Sequence, residues 1–183
     1  GYDILYGNGP TYSLQPLPDV ASGMTNVAKK AKIKVSGDEN TAKYLNDGLF
    51  TVQDFTFPWE YVDANEDQKG TTITLTWDTP VEIKSFIIYN SQNYFYAFDK
   101  VDLVRFKLAE KPAWYNLKDY NDYCYIENLE CNPENVEGND FFMRQGGGAL
   151  ASFDNIKVTE MTIYINSKYT TEAEELDGSL NYA

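Results

Sequence analysis

The chain has 183 residues, with 28 acidic and 15 basic side chains and no histidine, so its formal net charge is −13. This length suits one domain with a sizeable core. The acidic field disfavours nucleic acid and anionic lipid as partners, and no apolar run of about 18 residues is present to insert into a membrane. The lack of histidine excludes Ser–His and Cys–His nucleophiles and histidine–metal sites.

The first part of the chain is predicted to be an extended lead-in followed by a strand. Residues 1–23 are rich in glycine, proline and tyrosine, and predict a lead-in or linker with at most one short strand near residues 4–6. Residues 26–35 predict the first clear strand, and its outward lysines indicate a solvated face or an edge position. A helical turn is predicted over residues 41–45, capped by Asn40 or Thr41.

The strongest strand pattern stands in the middle of the chain. Ile73, Leu75 and Trp77 alternate with threonines, which is the period of a half-buried strand, and Trp77 is predicted to lie in the core. The Asp-Thr-Pro of residues 78–80 is predicted to break this strand, because proline has no N–H to donate to a ladder. A second strand is predicted over residues 81–89.

The remaining strands are predicted at residues 101–108, 113–117, 123–126 and 156–165, and residues 166–183 are predicted to be a C-terminal tail. Helix-length amphipathic patterns are absent from the sequence. Several short strands separated by turn residues predict an all-β fold, built as an antiparallel β-sandwich over residues 24–183.

Six segments, in order, carry a family resemblance: NVA (26–28), LNDGLFT (45–51), ITLTW (73–77), VEIKSFIIYNS (81–91), FDKVDLVRF (98–106) and VTEMTIYI (158–165). Over residues 24–165 this order resembles the galactose-binding-like jelly roll of discoidin and coagulation-factor type C domains and of family-32 carbohydrate-binding modules. The resemblance implies a non-catalytic carbohydrate-binding module of an exported or cell-surface bacterial protein, located outside the cell, on its surface or in the periplasm. The alternative is a protein-interaction or spacer domain of a surface protein.

The resemblance also implies a structural calcium ion at the Asp-Gly turn. In the family such a turn often supplies a calcium ligand, which here is Asp47. Thr51 and Glu160 stand where two further ligands are expected, since calcium takes six to eight oxygens. The alternative is a turn aspartate that bonds its own backbone.

Aromatic residues outside the best strands predict the glycan site. Sugars stack their C–H faces on aromatic rings and need a few polar partners for their hydroxyl groups. Trp59, Tyr61, Tyr94 and Tyr96 would supply the rings, and Arg144 would supply hydrogen bonds. In the alternative, these rings cap the ends of the core, which the sequence favours for Trp59.

Neither the cysteines nor the acidic pairs indicate a catalytic site. Cys124 and Cys131 could form a disulfide or remain two thiols, and the sequence leaves both open. Among 28 acidic residues, pairs such as Asp119 with Asp122 arise by chance and stand in polar sequence. The chain is therefore predicted not to be an enzyme.

Overall fold

A computed structural model describes residues 13–16, 24–52, 60–63, 70–90, 98–112, 122–130 and 148–166. These residues contain two 3-10 helices, Val27–Lys30 and Glu39–Tyr44. They also contain seven strands: β1 (Ser13–Pro16), β2 (Lys32–Val35), β3 (Leu49–Val52), β4 (Thr71–Tyr89), β5 (Lys100–Leu108), β6 (Tyr123–Glu130) and β7 (Gly148–Ile165).

The strands form an antiparallel five-stranded sheet in the order β2-β4-β7-β5-β6 and a two-stranded pair of β1 and β3. The all-β prediction is confirmed, and β2 lies at a sheet edge as its lysines indicate. Pairing of β1 with β3 shows that part of the predicted lead-in is hydrogen-bonded to the rest of the chain. The strand predicted near residues 4–6 and the one predicted over 113–117 lie outside the described residues.

The predicted break at residues 78–80 is a bulge within one long strand. Thr76 pairs with Glu160 and Val81 with Val158, so five residue steps along β4 face two along β7. The three extra residues on β4 include Pro80, which needs no ladder partner inside a bulge. The prediction of two separate strands was therefore wrong, although the proline does mark the point where regular pairing stops.

The long β4–β7 ribbon bends back on itself. A straight strand of 19 residues would be about 60 Å long. However, Asn90, just beyond the end of β4, hydrogen-bonds to Phe98, two residues before β5. In addition, the rings of Phe106 and Phe153 lie 5.4 Å apart, although Phe106 pairs with Met161, eight residues further along β7. This fold-back supports the two-layer sandwich, which stays a prediction.

The apolar core includes residues from both halves of the ribbon. Val104, Phe106 and Ile163 face inward from the five-stranded part, and Phe86 and Ala149 join the same core from the second half. Trp77 is 5 % exposed and its Nε1 donates to the carbonyl of Val27 at 2.8 Å, which confirms the prediction that it lies in the core.

Both 3-10 helices correct the predicted boundaries. Residues 27–30 form a helix rather than the start of a strand, because the side chain of Asn26 accepts a hydrogen bond from the backbone N–H of Ala28 at 3.1 Å. The second helix is capped by Asp38, whose carboxylate accepts from Asn40 N–H at 2.9 Å, and not by Asn40 or Thr41.

Candidate functional site

Three sets of contacts, which we call anchors, hold the ends of the segments that carry the predicted glycan-binding residues. The first anchor is a polar junction at the start of β4. The hydroxyl of Tyr61 accepts a hydrogen bond from the N–H of Gly37 at 2.9 Å and lies 2.6 Å from Thr71 Oγ1. Ser36 joins the same junction, since its Oγ accepts from Thr72 N–H at 2.9 Å. Burial raises the pKa of the Tyr61 phenol, which keeps its proton for these contacts.

Backbone contacts hold residues 60–63 beside the second 3-10 helix. The N–H of Asp38 donates to the carbonyl of Val62 at 3.0 Å, and the N–H of Val62 donates to Thr41 Oγ1 at 2.9 Å. The fit leaves no room for a side chain at Gly37, because a Cβ atom there would lie 2.4 Å from the Asp63 carbonyl oxygen. Residues 60–63 are thus fixed beside the sheet.

The second anchor closes the base of the segment that carries Tyr94 and Tyr96. Asn90 is 6 % exposed, and its side-chain amide accepts from the N–H of Phe98 at 3.0 Å and donates to the carbonyl of the same residue. One side chain therefore satisfies a buried donor and a buried acceptor, and it joins the two ends of the intervening segment.

The third anchor is the start of β7. Gly148 pairs with Tyr89, the last residue of β4, so the chain enters the sheet at this point directly beside Asn90. Arg144 stands four residues before Gly148 in the sequence. The segment that contains Arg144 therefore attaches next to the segment that contains Tyr94 and Tyr96.

All three anchors lie toward the end of the sheet at which β4 and β5 begin. Leu103 pairs with Tyr164, and Tyr164 pairs with Thr72, so the start of β5 lies at the same sheet end as the start of β4. Five residue steps from Phe98 to Leu103 and two strand spacings place Phe98 within about 30 Å of Thr72. We call this end, marked by Tyr61, Asn90 and Gly148, the loop end.

Of the predicted glycan-binding residues, the structure describes Tyr61. Its ring is half-buried and packs against the core, and its hydroxyl is engaged by Gly37 and Thr71. These contacts give Tyr61 a positioning role, and its role in binding sugar stays a prediction. Trp59, Tyr94, Tyr96 and Arg144 lie outside the described residues.

Asp47 forms the compact turn of the alternative prediction. One carboxylate oxygen accepts from Leu49 N–H at 2.9 Å, and Gly48 adopts a left-handed φ of 79° that suits glycine. Burial, the largest effect, raises the pKa of the Asp47 carboxyl, while Lys29 acts in the opposite direction. The side chain of Asn46 ties this turn to the first 3-10 helix through the carbonyls of Ala28 and Ala31.

Two of the predicted calcium ligands, Asp47 and Glu160, lie on different faces of the sheet. Asp47 lies beside the helix that packs on the core face, whereas Glu160 pairs with Thr76 and Lys107 on the opposite, outward face of the sheet. The side chain of Thr51 lies outside the described residues. Within the described ranges, no group of three or more Cys, Asp or Glu residues is arranged to hold a metal ion. Calcium binding stays a prediction.

Neither a protein-family model nor a curated protein matches the sequence. The galactose-binding-like resemblance therefore stays a prediction. In the part of the chain that the structure describes, no helix is long and apolar enough to cross a membrane.

Cys124 carries a free thiol on β6 that packs partly against the core. Burial raises the pKa of this thiol to about 11. The strand from Tyr123 to Glu130 separates Cys124 from the residue before Cys131 by about 20 Å, whereas a disulfide needs Cα atoms within about 7 Å. Of the two predicted alternatives, the structure supports the free thiol for Cys124; Cys131 lies outside the described residues.

Two residues at the loop end, Gly37 and Asn90, were not predicted from the sequence to belong to the site. An asparagine directly after an apolar strand and before a polar-aromatic segment is a signal that could have indicated a loop-closing amide at position 90.

Proposed function

We propose that the chain is a non-catalytic carbohydrate-binding module of an exported or cell-surface protein. The observation that supports the proposal is that three anchors lie toward the same end of the sheet. Tyr61 lies two residues after Trp59, Asn90 and Phe98 flank the segment with Tyr94 and Tyr96, and Gly148 follows the segment with Arg144.

The chemistry of these residues suits a sugar ligand. Tyrosine and tryptophan rings offer flat apolar faces for sugar C–H groups, and the arginine offers several N–H donors to hydroxyl oxygens. Rigid anchors reduce the conformational entropy that a binding loop loses when its ligand binds. Asn90 and Gly37 therefore serve the proposed site by holding its segments in place.

The alternative, a protein-interaction or spacer domain, finds less support in the described residues. Their exposed large apolar side chains are Leu49, Val62, Ile87 and Tyr125, with exposed fractions between 37 % and 50 %. These four belong to four different segments of the chain, and isolated apolar side chains are normal on protein surfaces.

Calorimetric titration of the chain against a panel of neutral oligosaccharides tests the proposal. We expect at least one neutral glycan to bind, and the double variant Tyr94→Ala, Tyr96→Ala to weaken that binding at least tenfold. Leu49→Ala, an exposed apolar position next to the Asp47 turn, is the control and should bind normally. Equal binding by the double variant, or no binding across the panel, would overturn the proposal.

A structural calcium ion at Asp47 is a separate hypothesis. If it is right, calcium raises the Tm relative to a chelator, and Asp47→Asn removes this increase.

A further inference from the structure

The outward face of the five-stranded sheet carries two rows of side chains that cross all five strands. The first row is Lys34, Thr74, Thr162, Arg105 and Tyr125, and the second is Lys32, Thr76, Glu160, Lys107 and Tyr123. Directly paired residues in antiparallel strands point to the same face, so these ten side chains share one surface. We call it the outward face.

The charge of the outward face is opposite to that of the whole chain. Its ten residues include four cations and one acid, whereas the chain has 15 basic and 28 acidic residues. Lys34 and Lys107 are exposed, and Arg105 is partly exposed. Lys32 makes an ion pair with Asp78 at 3.1 Å, but both side chains are highly exposed, so water screens this pair strongly. Glu127, two residues beyond Tyr125 on the same face of β6, and Asp78 bring the acids on and beside the two rows to three. The four cations therefore give the outward face a small positive excess on an acidic protein.

Aromatic rings stand beside the cations. Tyr123 and Tyr125 are two residues apart on β6 and thus about 7 Å apart on the same face. The guanidinium of Arg105 lies over the ring of Tyr123 at 4.9 Å from its centroid, and this contact holds both side chains against the sheet. The ring of Tyr125, which is 50 % exposed, remains open to a ligand.

Short side chains form the floor between the edges of the outward face. Thr74 and Thr76 on β4 and Thr162 on β7 lie between the lysines of β2 and the long side chains of β5 and β6. From β2 to β5 the distance is about 14 Å, or three strand spacings. Thr162 is only 3 % exposed, and Glu160 is the second β7 residue between the two sides, so the accessible hydroxyl groups between the cations are those of Thr74 and Thr76.

We propose that the outward face binds an acidic polysaccharide, a glycan chain that carries carboxylate or sulfate groups. Arg105, Lys107 and Lys34 would pair with its anionic groups, Tyr125 would stack on a sugar ring, and Thr74 and Thr76 would hydrogen-bond to hydroxyls. This surface is formed entirely by described strand residues, so the inference does not rest on the proposed glycan site at the loop end.

Charge density favours an acidic glycan over nucleic acid. Duplex DNA carries one negative charge per about 1.7 Å of helix axis, and the remaining surface of a chain with net charge −13 would repel such a polymer. A polysaccharide with charges spaced by whole sugar units places only a few anions on the four cations. Its neutral ring faces also match the exposed tyrosine.

Titration of the full chain with chondroitin sulfate, polygalacturonate and duplex DNA, at low and at high salt, tests this inference. We expect chondroitin sulfate or polygalacturonate to bind, and more weakly at high salt. The triple variant Lys34→Gln, Arg105→Gln, Lys107→Gln should weaken that binding at least tenfold, and Tyr125→Ala should weaken it severalfold. The altered side chains face outward, and an unchanged Tm confirms that each variant is folded.

A second triple variant, Lys30→Gln, Lys43→Gln, Lys84→Gln, distinguishes the effect of the charges on the outward face from the effect of the net charge of the chain. These exposed lysines lie off the two rows, and their loss changes the net charge by the same amount. It should bind the acidic glycan at least three times more tightly than the first variant does. Equal losses in both triple variants, tighter binding of DNA than of either acidic glycan, or no binding of either acidic glycan would overturn the inference. The Tyr94→Ala, Tyr96→Ala variant should keep acidic-glycan binding, so the two proposed sites can be tested independently of each other.

Discussion

Among single residues, Gly37 lies where a side chain would meet backbone atoms of the neighbouring segment. A Cβ atom at this position would lie 2.4 Å from both the Asp63 carbonyl oxygen and the Tyr61 hydroxyl. Because the first of these is a backbone atom in a clamped segment, it cannot move aside without breaking the Asp38–Val62 contact. The absence of a side chain at Gly37 therefore allows residues 60–63 to dock on the start of the sheet.

We predict that Gly37→Ala lowers the free energy of unfolding by about 2–3 kcal/mol, through overpacking at the docked segment. Gly48→Ala is the matched comparison. Its Cβ would meet only the flexible side chain of Lys29, at 3.2 Å or more, so the left-handed φ of 79° should cost about 1 kcal/mol. Urea unfolding of both variants measures the difference. A Gly37→Ala protein as stable as the wild type would show that residues 60–63 are not docked as described.

The buried thiol of Cys124 gives a prediction about reactivity. The thiolate is the reactive form, and burial raises the pKa of this thiol from 9.0 to about 11. At pH 8 the thiolate fraction should therefore be about 100-fold lower in the folded than in the unfolded chain. Disulfide-exchange labelling of a Cys131→Ser variant, with and without urea, measures the ratio of the two rates. Equal labelling rates in the folded and the unfolded chain would show that the Cys124 thiol is exposed to water and not buried.

The same pKa shift makes stability fall at alkaline pH. The folded state holds the Cys124 proton more tightly than the unfolded state, so this contribution is complete below pH 9 and is lost as the pH rises toward about 11. Burial also raises the pKa of Tyr61 and Tyr89 above 10.0, and these phenols add to the loss above that pH. Chemical denaturation between pH 8 and 11 should show the decline beginning near pH 9, and Cys124→Ala should move its onset toward pH 10.

At the scale of elements, the bent β4–β7 ribbon explains why the loop end exists. A straight β4 would place its two ends at opposite ends of the molecule, and its pairing with β7 shifts register between Thr76 and Val81 and again between Ile83 and Ser85. The bend instead brings Asn90 to Phe98, close to the start of β5. One buried amide side chain then holds the returned end of β4 in place.

We predict that Asn90→Ala lowers the free energy of unfolding by about 2–4 kcal/mol, because it leaves the buried N–H and carbonyl of Phe98 without their partner. Asn155→Ala, an exposed position in β7, should change it by no more than about 0.5 kcal/mol. Thermal unfolding and amide exchange at Phe98 measure the effect. If the Phe98 amide is as well protected from exchange in Asn90→Ala as in the wild type, the Asn90 side chain does not hold Phe98 as described.

Alternation along the chain predicted the faces of the strands but not how the strands bend. Met161, Ile163 and Ile165 are buried as their period indicates, because a strand turns every second side chain to the same face. Pro80 is compatible with both a strand end and a bulge, and only the pairing with β7 decides between them. Short local patterns therefore found most of the described strands and misjudged the ends and breaks.

The anchors of the candidate site depend on contacts between distant residues. Tyr61 reaches Gly37 across 24 positions in the sequence, and no spacing rule links a tyrosine to a glycine at that separation. Aromatic composition alone indicated Tyr61, Tyr94 and Tyr96, since ring stacking needs the residue type and not a register. The sequence could therefore propose which residues bind, but not which residues hold them in position.

At the scale of the whole molecule, β7 is the central strand on which the sheet depends. Its residues Met161–Ile165 lie between β4 and β5, and Ile163 pairs with both Ile73 and Val104. Asn166, directly after the strand, donates its N–H to Asp102. Loss of these few residues would separate the sheet into two parts and expose its most buried side chains.

We predict that a chain ending at Asn166 folds, with a Tm within about 3 °C of the full chain, whereas a chain ending at Glu160 does not fold. The first keeps every pairing of β7 with β4 and β5, and the second loses Met161–Ile165, of which the first four pair with both strands. Circular dichroism and thermal unfolding of both truncated chains measure this. If the chain ending at Asn166 also fails to fold, residues 167–183 belong to the folded domain, and the predicted C-terminal tail is wrong. If the chain ending at Glu160 folds, the pairing of β7 between β4 and β5 is not what holds the sheet together.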